Sequence, residues 1–213
     1  RKSYIQDNLW SRARKELLAQ IESFKTTSNI GNDHAKFSGA GVAISVGNQL
    51  LYVGSNEEKN IDIWNLDSKT LLHRFEDAHQ DLITSIVVTK NNDYIIAGSA
   101  DRNISIWNLH QKTFVHRFLY AHNDLITSLA ITANESFIIS ASGDKSIGVW
   151  DMRAKVLHYR FENAHLETVS SLAITSDSQY IIAGSLDQAV SVWSLSSKGL
   201  YHRFGKAHEG KIT

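Results

Sequence analysis

The sequence contains no cysteine, no proline and a single methionine, and neither charge is in excess: 22 lysines and arginines balance 22 aspartates and glutamates. Without cysteine there is no disulfide framework, no thiolate metal site and no cysteine nucleophile. Balanced charge argues against the broad basic face that nucleic-acid binding needs. Apolar runs are a handful of residues long, against the roughly 20 that span a bilayer. No secretory leader with a small-residue cleavage site opens the chain. About ten prolines would be expected at average usage. Their absence leaves the turns to Asn, Asp, Ser and Gly, which tolerate left-handed backbone or bond their own backbone.

What the sequence does contain is a repeat. Trp64, Trp107, Trp150 and Trp193 are spaced by 43 residues, as are His79, His122, His165 and His208. Arg74, Arg117, Arg160 and Arg203 keep the same step, and so do Phe75, Phe118, Phe161 and Phe204. Residues 37–208 divide into four units, 37–79, 80–122, 123–165 and 166–208, preceded by 1–36 and followed by 209–213. The second unit reads as four strands, at 83–89, 94–99, 103–109 and 113–118, each β-branched or aromatic and bounded by polar turns. A lone four-stranded sheet has two faces to bury, and stacking such sheets radially buries both.

In these features the chain resembles the WD40 repeat family. Ala78-His79, Ala121-His122, Ala164-His165 and Ala207-His208 stand where that family has Gly-His. Trp150-Asp151 is a literal Trp-Asp pair, and Trp64-Asn65, Trp107-Asn108 and Trp193-Ser194 are its counterparts. The resemblance implies an all-β protein, a β-propeller of four four-stranded antiparallel blades forming a partial ring. Rings of this kind have about seven blades, so roughly three more units are expected beyond residue 213. The start at Arg1 and the close inside a fifth unit fit a piece of something longer.

A Ser-His-Asp set invites a catalytic reading, since triads are recognised by geometry and not by order. The family offers a structural one, a tetrad running Asp to His, His to Ser and Ser to the indole N–H. The implied sets are His79, Ser99, Asp101 and Trp107; His122, Ser142, Asp144 and Trp150; and His165, Ser185, Asp187 and Trp193. Threefold recurrence at one period favours the structural role. In the first unit, aligned without gaps, Lys36, Asn56 and Glu58 replace His, Ser and Asp, with His34 nearby. His73, His116 and His202 precede the repeated Arg-Phe on the fourth strand. They belong to separate blades and cannot converge on one zinc, so they read as polar residues blunting edge strands.

Residues 4–25 set Leu9, Trp10, Ala13, Leu17, Ile21 and Phe24 on one arc of about 120° at helical spacing. The expected amphipathic α-helix has three possible seats: the propeller, another helix or a membrane surface. Nothing in the sequence carries chemistry: no phosphate loop, no metal motif, no cofactor site and no nucleophile in a special turn. The resemblance implies a non-catalytic scaffold that binds other proteins through its face loops. The positions this picks out are Gln80, Leu82, Ala100, Asn123, Leu125, Gly143, Leu166, Thr168 and Leu186. Two alternatives are a targeting module of a larger enzyme and a structural subunit of a cytoskeletal or ciliary assembly. The expected location is intracellular, in the cytoplasm or on the cytoskeleton.

Overall fold

The computed structural model describes residues 41–44, 49–54 and 59–212. The expected helix at 4–25, and Lys36, Asn56, Glu58 and His34, lie outside them. The described residues form four antiparallel meanders. The first comprises β1 (Val42–Ile44), β2 (Leu50–Gly54), β3 (Ile61–Asn65) and β4 (Thr70–Phe75). The second comprises β5 (Ile83–Val88), β6 (Tyr94–Ser99), β7 (Ile104–Asn108) and β8 (Thr113–Phe118). The third comprises β9 (Ile126–Ile131), β10 (Phe137–Ser142), β11 (Ile147–Asp151) and β12 (Val156–Phe161). The fourth comprises β13 (Val169–Ile174), β14 (Tyr180–Ser185), β15 (Val190–Ser194) and β16 (Gly199–Phe204).

First strands of successive sheets meet, β1 with β5, β5 with β9 and β9 with β13. A hydroxyl bonds across each of the later junctions: Thr84 Oγ1 donates to the Ile126 carbonyl (2.5 Å), and Thr127 Oγ1 to that of Val169 (2.5 Å). Farther out, an aromatic pair joins each sheet to the next. Phe75 lies 4.8 Å from Trp107, Phe118 5.0 Å from Trp150 and Phe161 4.8 Å from Trp193. The repeated Arg-Phe and Trp are thus the two halves of one inter-sheet contact, which explains why they share a period. Each Trp sits at a bulge, where β3, β7, β11 and β15 slip by one residue against the strand that follows.

Among the described residues no sheet follows the fourth. Ile212 nevertheless lies where Ile126 and Val169 lie on their neighbours: Ser170 Oγ donates to its carbonyl (2.6 Å), and its N–H donates to Ser185. Phe204, with no tryptophan against it among the described residues, is 51% exposed, whereas Phe75, Phe118 and Phe161 are buried.

The turns divide the labour expected of Asn, Asp and Ser. Asn65, Asn108, Asp151 and Ser194, the residues just after each Trp, accept N–H groups from the turn that follows. Any short acceptor does this, so Asn and Ser replace the family's Asp at little cost. The left-handed positions, however, fall mostly on other residues. Lys69, Lys112, Lys155 and Lys198 close those same turns with φ between 53° and 57°.

The first unit departs from strict 43-residue spacing. Gly54 opposes Ile61 as Gly98 opposes Ile104, which makes the two glycines equivalent at a separation of 44. One extra residue therefore lies between β2 and β3. At β2 the ungapped alignment is off by one residue, with Gly54 and not residue 55 in line with Gly98; Lys36, Asn56 and Glu58 lie outside the described residues.

Phe118→Ala should cost about 3–5 kcal/mol, as emptying a packed aromatic site does. Phe204→Ala should cost about 1 kcal/mol or less. Urea unfolding of the two variants provides the comparison.

Candidate interaction face and its buried polar chains

The strand pattern of the second sheet delivers His79 from the loop before β5 and Trp107 from β7. A residue two before Trp107 lies on the same side of its strand, and that residue is Ser105. Trp107 Nε1–H donates to Ser105 Oγ (2.9 Å), and Ser105 Oγ meets His79 Nε2 (2.8 Å). On the far side of the ring, Nδ1–H donates to Asp101 Oδ2 (2.9 Å), a carboxylate that can only accept. The fourth sheet builds the same chain from Trp193, Ser191, His165 and Asp187, at 2.7, 2.6 and 3.0 Å.

These contacts correct the expected serines. Ser99, Ser142 and Ser185 are hydrogen-bonded to neither imidazole nor indole. Each donates instead to a carbonyl of its own first-strand loop (Asp81, Asp124 or Glu167) and accepts the N–H of the tetrad aspartate. They sit at the strand ends, where the chain already turns away from the indole. A Ser two residues before Trp in two units was the signal that would have found the right hydroxyl.

The third sheet meets the same need from the other strand. Ser140 on β10 accepts from Trp150 Nε1 (2.8 Å) and meets His122 Nε2 (2.7 Å), and His122 Nδ1 reaches Asp144 at 3.0 Å. Ser140 is the direct cross-strand partner of Gly148, which occupies the place of Ser105 and Ser191. In the other sheets the cross-strand partners are Ala97 and Ala183. A Cβ on Gly148 would lie 2.6 Å from Trp150 Nε1 and 2.8 Å from Ser140 Oγ. One hydroxyl therefore fits between each imidazole and indole, from either strand, and the facing residue must be small.

His79, His122, His165 and the three bonded serines are almost fully buried. No substrate reaches these hydroxyls, which already accept an indole N–H, so a catalytic triad is excluded on geometry. Burial opposes ionisation of Asp101, but His79, by hydrogen bond and charge, and the N–H groups of Gln80 and Asn103 outweigh it and hold the carboxyl down at about 2. Asp187 is likewise held at about 2 against burial, by the N–H groups of Leu166 and Ala189 together with His165. Burial pushes the His165 imidazole below its ordinary range despite Asp187.

In the first sheet Asp62 takes the position of Ser105, and its carboxylate is held by Arg74 through two bonds (2.7 and 2.8 Å). His73, His116 and His202 each pack edge-on against the Phe two residues later, 4.4–4.6 Å between rings. No group of three His, Cys, Asp or Glu that could hold a metal occurs among the described residues.

The tetrads also anchor the loops above them. Asp101, Asp144 and Asp187 accept the N–H of Gln80, Asn123 and Leu166. The N–H groups of Ala100, Gly143 and Leu186 donate to the carbonyls of Leu82, Leu125 and Thr168 (2.8–3.0 Å). The nine expected face positions thus form three clusters of three, one at the same end of the second, third and fourth sheets. Gln80, Leu82, Asn123 and Leu166 are exposed, with Leu166 at 75% and Leu82 at 38%, while Leu125 and Leu186 are half-buried in their loops.

A family model described as the tRNA methyltransferase TRM82 WD40 domain matches residues 77–164, and one described as WD domain, G-beta repeat, matches residues 156–194. The chain belongs to the WD40 repeat family. No curated protein matches it. The four sheets are blades of the WD40 kind, and family and geometry together support a non-catalytic protein.

Ser140→Ala should lose about 1–3 kcal/mol, because it strands a buried indole N–H and imidazole nitrogen. Ser140→Ala combined with Gly148→Ser, which copies the second and fourth blades, should regain most of that loss in a urea melt. Acid should also destabilise the fold. The Asp101 carboxyl titrates near 4 when unfolded and at about 2 when folded, so the unfolded chain binds protons more readily. The stabilisation, on the order of 2 kcal/mol, is complete above about pH 5 and is lost as pH falls towards 2. Melting temperatures between pH 6 and pH 2 should drop, and Asp101→Asn should flatten the drop.

Proposed function

We propose that this protein is a protein-interaction scaffold that engages partners through the loop face above the tetrads. The observation that carries the reading is the exposure of Leu166 and Leu82 on loops whose backbones are pinned by the tetrad carboxylates. An exposed apolar side chain on a rigid loop binds without the entropy cost of ordering that loop. The buried polar chains supply rigidity, and the variable residues above them supply recognition. Gln80, Ala100, Asn123, Leu125, Gly143, Thr168 and Leu186 complete the candidate surface. No helix among the described residues is long and apolar enough to cross a membrane.

A second reading, a targeting module serving an enzyme, is favoured by one observation: the match over residues 77–164 is to the WD40 domain of a tRNA methyltransferase. In that case the partner recovered would be a catalytic subunit or domain.

Leu82→Asp with Leu166→Asp should abolish or strongly reduce recovery of native partners in a pull-down while leaving the melting temperature within a few degrees. Unchanged recovery removes the face from consideration.

A further inference from the structure

The four blades serve as internal controls for one another, and one of them breaks the pattern. Two residues after the repeated Arg stand Glu76, Leu119, Glu162 and Gly205; one further on stand Asp77, Tyr120, Asn163 and Lys206. Only the second blade puts an apolar-aromatic pair there, and both side chains are exposed, Leu119 at 66% and Tyr120 at 72%. Burial therefore does not account for them.

Two further observations fall on the same spot. All four residues at the second position adopt left-handed backbone, with φ from 49° to 53°. Asn and Asp tolerate this conformation, whereas it strains a bulky aromatic residue such as Tyr120. The repeated arginine also lacks its usual counter-charge. Arg74 pairs with Asp62 at 2.7 Å and Arg203 with Asp187 at 2.6 Å, and Arg160 has Asp144 and Glu162 at 3.8 Å. Arg117 reaches the Ala78 carbonyl and lies over the Phe114 ring, but no carboxylate falls within 4.0 Å of it among the described residues. Its Nε is buried without a hydrogen-bond acceptor, as is that of Arg160, but Arg160 has the Glu162 carboxylate at 3.8 Å and Arg117 has none within 4.0 Å among the described residues.

Arg117 and Leu119 line two adjoining clefts. One opens on the loop face beside Gln80, Arg102 and Tyr120, and the other on the outer strand beside Trp107, Phe114 and His116. Arg102 stacks 5.4 Å above Tyr120 and adds a second guanidinium. Asp81 and Asp101 also border the first cleft, but the structure already engages both: Asp101 with His79 and the Gln80 N–H, Asp81 with the Leu82 N–H.

We propose that this groove on the second blade docks an acidic segment of a partner protein. A carboxylate of the segment pairs with Arg117, and a neighbouring apolar or aromatic side chain packs on Leu119, Tyr120 and Phe114. The proposal rests on the scaffold reading and gives that surface a ligand chemistry: a guanidinium wanting a counter-charge beside exposed apolar area.

The test pans a random peptide library displayed on phage against the full chain, then measures binding of the enriched peptide. Enriched sequences should place Asp or Glu beside an apolar residue, and affinity should fall as salt rises. Leu119→Glu with Tyr120→Asn installs the third blade's own residues, so the fold has a precedent for them. This variant should weaken binding at least about tenfold with the melting temperature not lowered, since Asn relieves the strain at that backbone. Phe114→Leu, the residue of the other three blades at that position, should weaken binding in the same direction and stands in if the double variant folds poorly. Failure to enrich any peptide, enrichment of basic peptides, or unaltered binding to the variants overturns the groove. The Leu82 and Leu166 pull-down is independent of these outcomes, so the groove can fall while the interaction face stands.

Discussion

The architecture turns on one constraint: a buried indole N–H and a buried imidazole must both find partners inside a sheet. A single hydroxyl satisfies them together, and a carboxylate at the blade's end satisfies the other ring nitrogen. That carboxylate then has acceptor capacity left, which the loop N–H groups use. The polar chain therefore runs from the inter-blade tryptophan, through the sheet, to the surface loops. Packing, loop position and recognition surface are coupled because they share these four side chains. In a low-dielectric interior a partly satisfied network costs more than none, which explains why the set is either complete or replaced wholesale. In the first blade Asp62, paired with Arg74, takes the serine's place.

The arginine of the fourth strand extends the same logic across the blade. Arg117, Arg160 and Arg203 each bond the carbonyl of the Ala that precedes the tetrad histidine. The peptide carrying the imidazole is thus gripped from the outer strand while its ring is gripped from the inner ones. Phe75, Phe118 and Phe161, which follow Arg74, Arg117 and Arg160, pack against the next blade's Trp. Arg and Phe are adjacent in sequence because alternate strand residues face opposite ways. One sends its charge back into its own blade, and the other sends its ring forward into the neighbour.

Much of this was legible in the sequence because repetition turns a weak local signal into a strong periodic one. The period, the four strands per unit and the Trp, His and Asp of each chain all follow from it. The serine was not legible, since Ser105 and Ser140 occupy cross-strand partner positions on different strands and a linear alignment cannot see that they reach the same point. The first unit's register was hidden for a similar reason: strand pairing fixes Gly54 opposite Ile61, and the extra residue falls between β2 and β3, where no sequence marker reveals it. The leucines of the face were legible as positions but not as surfaces. Leu125 shares the loop position of Leu82 and is half-buried where Leu82 is exposed, while Leu186 lies on the turn that bonds to that loop.

Repetition also separates what folds the protein from what it recognises. Positions that must satisfy buried groups are filled the same way, or by an equivalent exchange, in each described blade that has a tetrad. Positions free of that duty are where blades can diverge without penalty, and divergence towards strain needs a further cause. A lysine at φ near 55° in four successive turns is one answer to a common geometry. A tyrosine at φ 49°, exposed, beside an arginine without a carboxylate, is not shared by any other blade. The Asn103 side chain accepts the Tyr120 N–H at 2.8 Å, as Asn60 accepts that of Asp77, so the backbone there is held whatever the side chain. The scaffold fixes the conformation, and the residue placed in it is then free to answer to a ligand.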